Sequence, residues 1–439
     1  MKAVEVLRAR VAKWPYSLLS VLAAVSAFGA YTSMYAFRKA FAAGTFTGQQ
    51  YFHVDYKVWL VIAQILGYTA SKFYGIRFIA EIKGNKRGIT ILLLVGMAWL
   101  ALLGFAFVPA PYNIIFLFTN GFPLGLIWGL VFGYLEGRRS TEFMAAVLSI
   151  SLIFASGFVK TIGRTLLHAF PINDFQMPFL TGAVFVIPLI LFVFLLELIP
   201  PPNAEDVKLR TKRAPMNAGE RGQFLKRFIP GIVLTLIIYV LLTVMRDVRD
   251  NFEVEIWASL GVKSNTVYTS TDTKISVIVL VAISLLILVR KNLRAFSIIH
   301  LLIIGGCVLI GASTILFSLK AISPTTWMTV AGLGLYLGYV LYNAIFFERM
   351  IATFHYKSNV GFLIYVADSL GYLGSVTLLL VKELGRPNIS WAEFFREGVV
   401  FVAVIGGISA SLSLLYFLQK AHKRNKSEQL PGELNIIPT

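Results

Sequence analysis

Apolar residues along this chain come in long blocks, each closed by a short polar or Pro/Gly segment. A helix needs about 20 mainly apolar residues to cross a bilayer, and twelve blocks are long enough. In the first part of the chain they are Ser17–Phe41, Lys57–Ile79, Gly88–Val108, Tyr112–Leu135, Phe143–Leu167 and Met177–Ile199. In the second part they are Phe228–Asp250, Thr273–Val289, Phe296–Leu319, Thr326–Phe347, Val360–Val381 and Val399–Leu418. The first block follows basic residues, but it is too long for a signal-peptide core and lacks a small-residue cleavage pattern. It is expected to stay as a helix, and the pattern predicts an all-α polytopic membrane fold of twelve transmembrane helices.

The longest internal polar stretch opens with Pro200, Pro201 and Pro202 and carries Lys208, Arg210, Lys212 and Arg213. It separates six blocks from six. The predicted organisation is an N-terminal half over residues 1–199, a cytoplasmic linker over 200–227, a C-terminal half over 228–419 and a cytoplasmic tail over 420–439. Lys and Arg in alternate loops set the orientation, because positive loops stay on the cytoplasmic side. One set of loops holds 25 of them and the other only 6, namely Arg249, Lys263, Lys320, Lys382, Arg386 and Arg396. Both termini are therefore expected to be cytoplasmic, and the expected location is the cell (inner) membrane.

Composition narrows the functions. Of 439 residues, 57% are hydrophobic, above the roughly 45–50% of a soluble domain, which argues against a water-soluble enzyme. Forty Lys and Arg against 22 Asp and Glu give a net charge of +18, a sign compatible with nucleic acid or with a cytoplasmic membrane face. The loop asymmetry assigns that charge to topology, so no nucleic-acid partner is expected. The one cysteine, Cys307, and five scattered histidines offer no disulfide framework and no metal site, and no phosphate-cradling glycine loop is present. Neither a cofactor nor enzyme chemistry is expected, and the partners anticipated for a monomer are the bilayer and a small solute.

Ionisable residues inside the blocks carry the candidate chemistry, because each costs about 2.5–3.5 kcal/mol near a helix centre. Arg38 and Lys39 lie late in the first block, Lys72 in the second, Lys160 and Arg164 in the fifth, Arg246 late in the seventh and Asp368 in the eleventh. Cations outnumber the single carboxylate, which points to an anionic ligand as the missing counter-charge. Lys39 is expected to snorkel to the headgroups, and Lys72 is a candidate ligand whose structural alternative is pairing with Asp368 or with a neighbouring carbonyl. Lys160 is a further candidate ligand; Arg164, four residues from His168, is a gating ligand or an interface anchor. Tyr31 precedes Arg38 by seven residues, and Tyr239 precedes Arg246 by seven in the corresponding helix of the other half. Such symmetry would let two guanidinium forks grip one phosphate or carboxylate, although Asp247 and Asp250 compete for Arg246. Tyr31, Tyr35 and Tyr68 share helices with Arg38 and Lys72 and offer hydroxyls. Gly121, Gly125, Gly129 and Gly133 form a small-residue stripe suited to close helix packing.

Four segments resemble the major facilitator superfamily, and within it the organophosphate:phosphate antiporters of the glycerol-3-phosphate and hexose-6-phosphate type. They are Tyr31 through Ala42 with its Arg38-Lys39-x-Phe41-Ala42 run, Gly67-Tyr68 through Ser71-Lys72-Phe73, Asn120-Gly121 through Gly125 to Trp128, and Gly371-Tyr372-Leu373-Gly374. The resemblance implies a major facilitator fold, with Arg38 and Arg246 as central phosphate ligands and Lys72, Tyr31, Tyr35 and Tyr68 alongside. It also implies exchange by rocking of two halves. Phe154 stands near the position of that family's fifth-helix histidine, and Arg246-Asp247-Val248 replaces its Arg-Tyr-Gly.

The expected function is secondary transport of a small organic anion, a phosphate ester exchanged for inorganic phosphate by alternating access. One alternative is a proton-coupled symporter of a carboxylate or sugar-like solute, with Asp368 or Glu136 as proton carrier. Another is a membrane assembly factor that keeps the transporter fold without transporting.

Overall fold

A computed structural model describes residues 2–82, 86–203, 205–206, 218–354 and 361–428. Parts of the predicted linker 200–227 and tail 420–439 lie outside the described residues, as do Lys83, Lys208, Arg210, Lys212, Arg213 and Lys357 of the charge count. Helices fall on all twelve predicted blocks. After the short α1 (Lys2–Val11) come α2 (Tyr16–Lys39), α3 (Tyr56–Glu81), α4 (Arg87–Phe107), α5 (Ile114–Leu124), α6 (Ile127–Leu135), α7 (Thr141–Ala169) and α8 (Met177–Glu197). The second series is α9 (Ala218–Ser259), α10 (Val267–Ile287), α11 (Asn292–Ser318), α12 (Pro324–Leu341), α13 (Phe347–Phe354), α14 (Gly361–Gly385), α15 (Trp391–Phe401) and α16 (Gly407–Glu428). A π turn joins α12 to α13 over Tyr342–Phe346, and another joins α15 to α16 over Val402–Gly406.

Among the described residues, eleven helical segments are long and apolar enough to cross a membrane. The segment outside that set is α3, whose apolar run is interrupted by Gln64, Ser71 and Lys72. These polar positions suit a helix that faces a polar interior. The fourth block is two helices, α5 and α6, interrupted after Leu124. Two of its four striped glycines let it press on α3: a Cβ on Gly121 would meet the Gln64 carbonyl at 2.5 Å, and one on Gly125 would strike Ser71.

The seventh block runs well past its predicted end at Asp250. Its helix, α9, continues to Ser259 and leaves helical geometry only at Phe252 (φ −114°, ψ 20°). Arg249, Asp250, Glu253 and Glu255 therefore enter the protein interior rather than a loop. Arg249 and Glu253 are 0% exposed.

Packing stays within each series with one large exception. In the first series α2 lies between α7 and α8 and α3 lies along α5; in the second, α11 lies along α12 and α9 packs on α14 and α16. The exception is α7 against α10, which joins the two series along a seam. Gly157 makes that approach possible, since any Cβ there would collide with the Tyr268 carbonyl. Thr269 Oγ1 bonds Thr161 Oγ1 at 2.7 Å, and Thr161 Oγ1 donates to the Asn265 carbonyl at 2.9 Å.

The same end of the bundle, where α2 ends and α3 begins, is closed by charge. Lys39 meets Asp250 at 2.7 Å and donates to Asn251 at 2.6 Å; Lys57 meets Glu255 at 2.6 Å; the Asp55 amide donates to Glu383 at 3.0 Å. At the opposite end, the ion pair between the two series among the described residues is Arg349 with Glu142 at 3.9 Å.

Candidate functional site

A cavity of about 370 Å³ opens where α2, α3, α6, α7, α9, α12 and α14 converge. Tyr31, Tyr35 and Arg38 enter it from one face of α2, spaced four and three residues apart as a helix requires. Tyr68 and Lys72 enter from α3, Arg246 from α9 and Asp368 from α14. Seven of the ten residues singled out by sequence thus share one wall.

Arg38 stands at the last turn of α2, and its position is fixed from behind. Because α2 ends there, the Phe37 and Arg38 carbonyls have lost helical partners and need others. Asn120 Nδ2 donates to the Phe37 carbonyl at 2.9 Å and to the Ala98 carbonyl at 3.0 Å; Gln64 Nε2 donates to the Arg38 carbonyl at 2.6 Å and to Asn120 Oδ1 at 2.9 Å. Asn120→Leu removes three buried hydrogen bonds and strands their partners, at about 1–3 kcal/mol for each stranded group. The expected result is a clear fall in melting temperature of the purified protein, whereas an unchanged value would show that Asn120 does not brace the end of α2.

The cations of the cavity differ in how they are neutralised. Arg246 places Nη2 2.6 Å and Nε 3.2 Å from Asp247 Oδ1, while Ser375 donates to Asp247 Oδ2 at 2.7 Å. Lys72 pairs with Asp368 Oδ2, Tyr239 donates its hydroxyl to Asp368 Oδ1, and Asn343 Nδ2 donates to that hydroxyl at 2.9 Å. Lys39 is held by Asp250. Arg38 makes no ion pair among the described residues, and its Nε is buried without a hydrogen-bond partner. Its guanidinium lies 4.0 Å from the Tyr68 ring centroid and 5.5 Å from that of Tyr35. Aromatic faces attract a cation without neutralising it.

Several expectations from sequence are corrected here. Lys39 does not snorkel to headgroups: it is 5% exposed, because Asp250 and Asn251 on α9 receive it. Lys160 is 0% exposed and does not line the cavity; its ammonium lies 2.7 Å from Glu253 and 3.2 Å from Asp250. A lone buried carboxylate facing many cations gives way to a set of acids, since Asp247, Asp250, Glu253 and Asp272 are all buried as well. Arg249, counted as a loop cation, meets Asp272 at 2.8 Å. Glu136 stands just past α6, and Arg164, 3.4 Å from His168 through its guanidinium, stands on α7; neither lines the cavity.

Sequence reasoning also missed part of the wall. Asp247, Asp250, Tyr336, Tyr339 and Tyr372 all face the cavity. The signal for the two acids was present, because Arg246, Asp247, Arg249, Asp250 and Glu253 continue an apolar helix without a Pro or Gly break. Both acids were read as local partners of Arg246 rather than as part of the cavity wall.

A family model, described as a family of unknown function (DUF5690), matches residues 40–420. No curated protein matches this sequence. Solved structures match along almost the whole length. A D-xylose–proton symporter is 15% identical with a TM-score of 0.57, covering 92% of this chain and 97% of that one. A POT family transporter in complex with 5-aminolevulinic acid is 12% identical with a TM-score of 0.58, covering 91% and 96%. The nucleoside transporter NupG is 13% identical with a TM-score of 0.57, covering 91% and 99%. At these identities the likeness establishes the fold: an all-α, polytopic membrane fold of the major facilitator type.

Proposed function

The chain belongs to the family of unknown function DUF5690, so its activity is read from its own cavity, and we propose that it is a secondary transporter of a small organic anion. The reaction proposed is exchange of a phosphate ester for inorganic phosphate by alternating access, with Arg38 at the centre of the site. The supporting observation is Arg38 itself, a half-buried guanidinium with its Nε buried and no carboxylate partner among the described residues, flanked by Tyr31, Tyr35 and Tyr68. A guanidinium presents paired N–H donors that match the oxygens of a phosphate or carboxylate. Its uncompensated charge disfavours passage of the empty carrier through the occluded state, which favours exchange over net flux.

In this reading residues 1–199 and 228–419 rock against each other, and the linker 200–227 and both termini are cytoplasmic. The charge-sealed end then faces outward. Proteoliposomes loaded with phosphate test the proposal: labelled phosphate enters by counterflow only when internal phosphate is present. Absence of uptake by folded protein overturns the phosphate reading.

The likeness in fold to a D-xylose–proton symporter, together with the Lys72–Asp368–Tyr239 cluster, supports a second reading. There Asp368 carries a proton and the cargo is a carboxylate or sugar-like solute. Uptake that requires an inward proton gradient and ignores internal phosphate would select it.

A further inference from the structure

The charges around the cavity add to a small number. Arg38, Lys39, Lys72 and Arg246 line it, and so do Asp247, Asp250 and Asp368, so four cations meet three carboxylates and the difference is one positive charge. Extending the sum to the groups behind the wall changes nothing, because Lys160 and Arg249 are matched by Glu253 and Asp272. The excess charge is that of Arg38.

Two of these carboxylates are built to stay. Asp247 accepts Arg246 on one oxygen and Ser375 on the other. Asp368 accepts Lys72 on one oxygen and Tyr239 on the other, with Asn343 behind the hydroxyl. With both oxygens occupied, neither carboxylate can turn aside to free its cation for a solute. A ligand that enters therefore meets one unmatched positive charge and two fixed negative ones in a site of low dielectric, where an unpaired charge is penalised.

We propose that Asp247 and Asp368 are specificity-determining residues that restrict this cavity to singly charged anions, by neutralising Arg246 and Lys72 and leaving Arg38 as the sole free countercharge. The inference rests on the anion-transport reading and narrows it. A phosphate monoester binds as its monoprotonated form, and a doubly charged anion is refused.

Binding to the full-length protein in detergent, read from the ligand dependence of its melting temperature, separates the possibilities. The probes are dimethyl phosphate, singly charged throughout, sulfate, doubly charged throughout, and methyl phosphate, whose second proton leaves with a pKa of about 6. The expected result is a dimethyl phosphate affinity that is flat from pH 7 to 8, a methyl phosphate affinity that falls roughly tenfold over that unit as the monoanion is depleted, and sulfate binding at least tenfold weaker than dimethyl phosphate. In Asp368→Asn, and independently in Asp247→Asn, one more cation is released, so sulfate binding tightens about tenfold or more and the methyl phosphate slope disappears. Melting of each variant without ligand reports whether it folds, and the second variant serves where the first does not. Sulfate binding to the unchanged protein as tightly as dimethyl phosphate, or variants with unchanged charge preference, overturns the inference while leaving the anion reading intact. Failure of all three probes to bind overturns both.

Discussion

Phosphate counterflow is expected to fall about 10- to 100-fold when Arg38 is replaced by lysine, with the melting temperature of the protein little changed. Lysine keeps the positive charge, so the net charge of the cavity survives and a cation still faces the Tyr68 and Tyr35 rings that the guanidinium faces now. What is lost is the planar fork. Each hydrogen bond to a charged group contributes about 1.5–3 kcal/mol, and a tenfold change corresponds to about 1.4 kcal/mol. Loss of one such bond therefore gives the stated range. Arg246→Lys is expected to do less, because Arg246 already spends two donors on Asp247. The comparison is made with labelled phosphate in proteoliposomes at equal protein density. Equal rates in Arg38→Lys and the unchanged protein would remove Arg38 from the site, and a larger loss in Arg246→Lys would invert the assignment.

The asymmetry between the two arginines shows where the sequence was legible and where it was not. Matching seven-residue spacings from Tyr31 to Arg38 and from Tyr239 to Arg246 suggested twin ligands. Both arginines do reach one cavity, because position along a helix fixes depth and face. Their partners are another matter. Tyr239 turns its hydroxyl to Asp368 and Arg246 is clamped by its own neighbour in sequence, so equivalent positions carry different chemistry. Long apolar blocks were readable for the same reason that they span a membrane: length and composition alone decide them. Ion pairing between distant helices leaves no such mark. Lys160 and Glu253 are 93 residues apart, and a charge read singly looks like a helix end or an empty ligand site. The end of α9 was misplaced on that ground, and with it Glu253, which neutralises Lys160, while Asp250 was read as a partner of Arg246 rather than of Lys39.

Those acids lead to the second large effect. Asp250→Asn is expected to open the charge-sealed end of the bundle. Asp250 is the point at which both series of helices are tied: Lys39 from α2 approaches its Oδ2 at 2.7 Å, Lys160 from α7 approaches Oδ1 at 3.2 Å, and Ser156 donates to Oδ1. Removing one member of a buried ion pair leaves the other uncompensated, at about 3–5 kcal/mol. Glu253 still holds Lys160 and Asn251 still accepts from Lys39, so the lower figure applies. Even about 3 kcal/mol is a factor of about 160 in a two-state equilibrium, enough to turn a 1% open minority into the larger population. In the open state the two lysines are hydrated and the penalty vanishes, which is why the variant relaxes by opening rather than by unfolding. Spin labels at Thr47 and Lys263, exposed on loops at that end, in a Cys307→Ser background, report the change as a distance distribution shifted to longer separations. Alternating access requires the same end to close again, so Asp250→Asn should also slow phosphate exchange. A distance distribution identical to that of the unchanged protein would show that the seam between α7 and α10, braced at Gly157 and Thr161, holds the end shut without the charges.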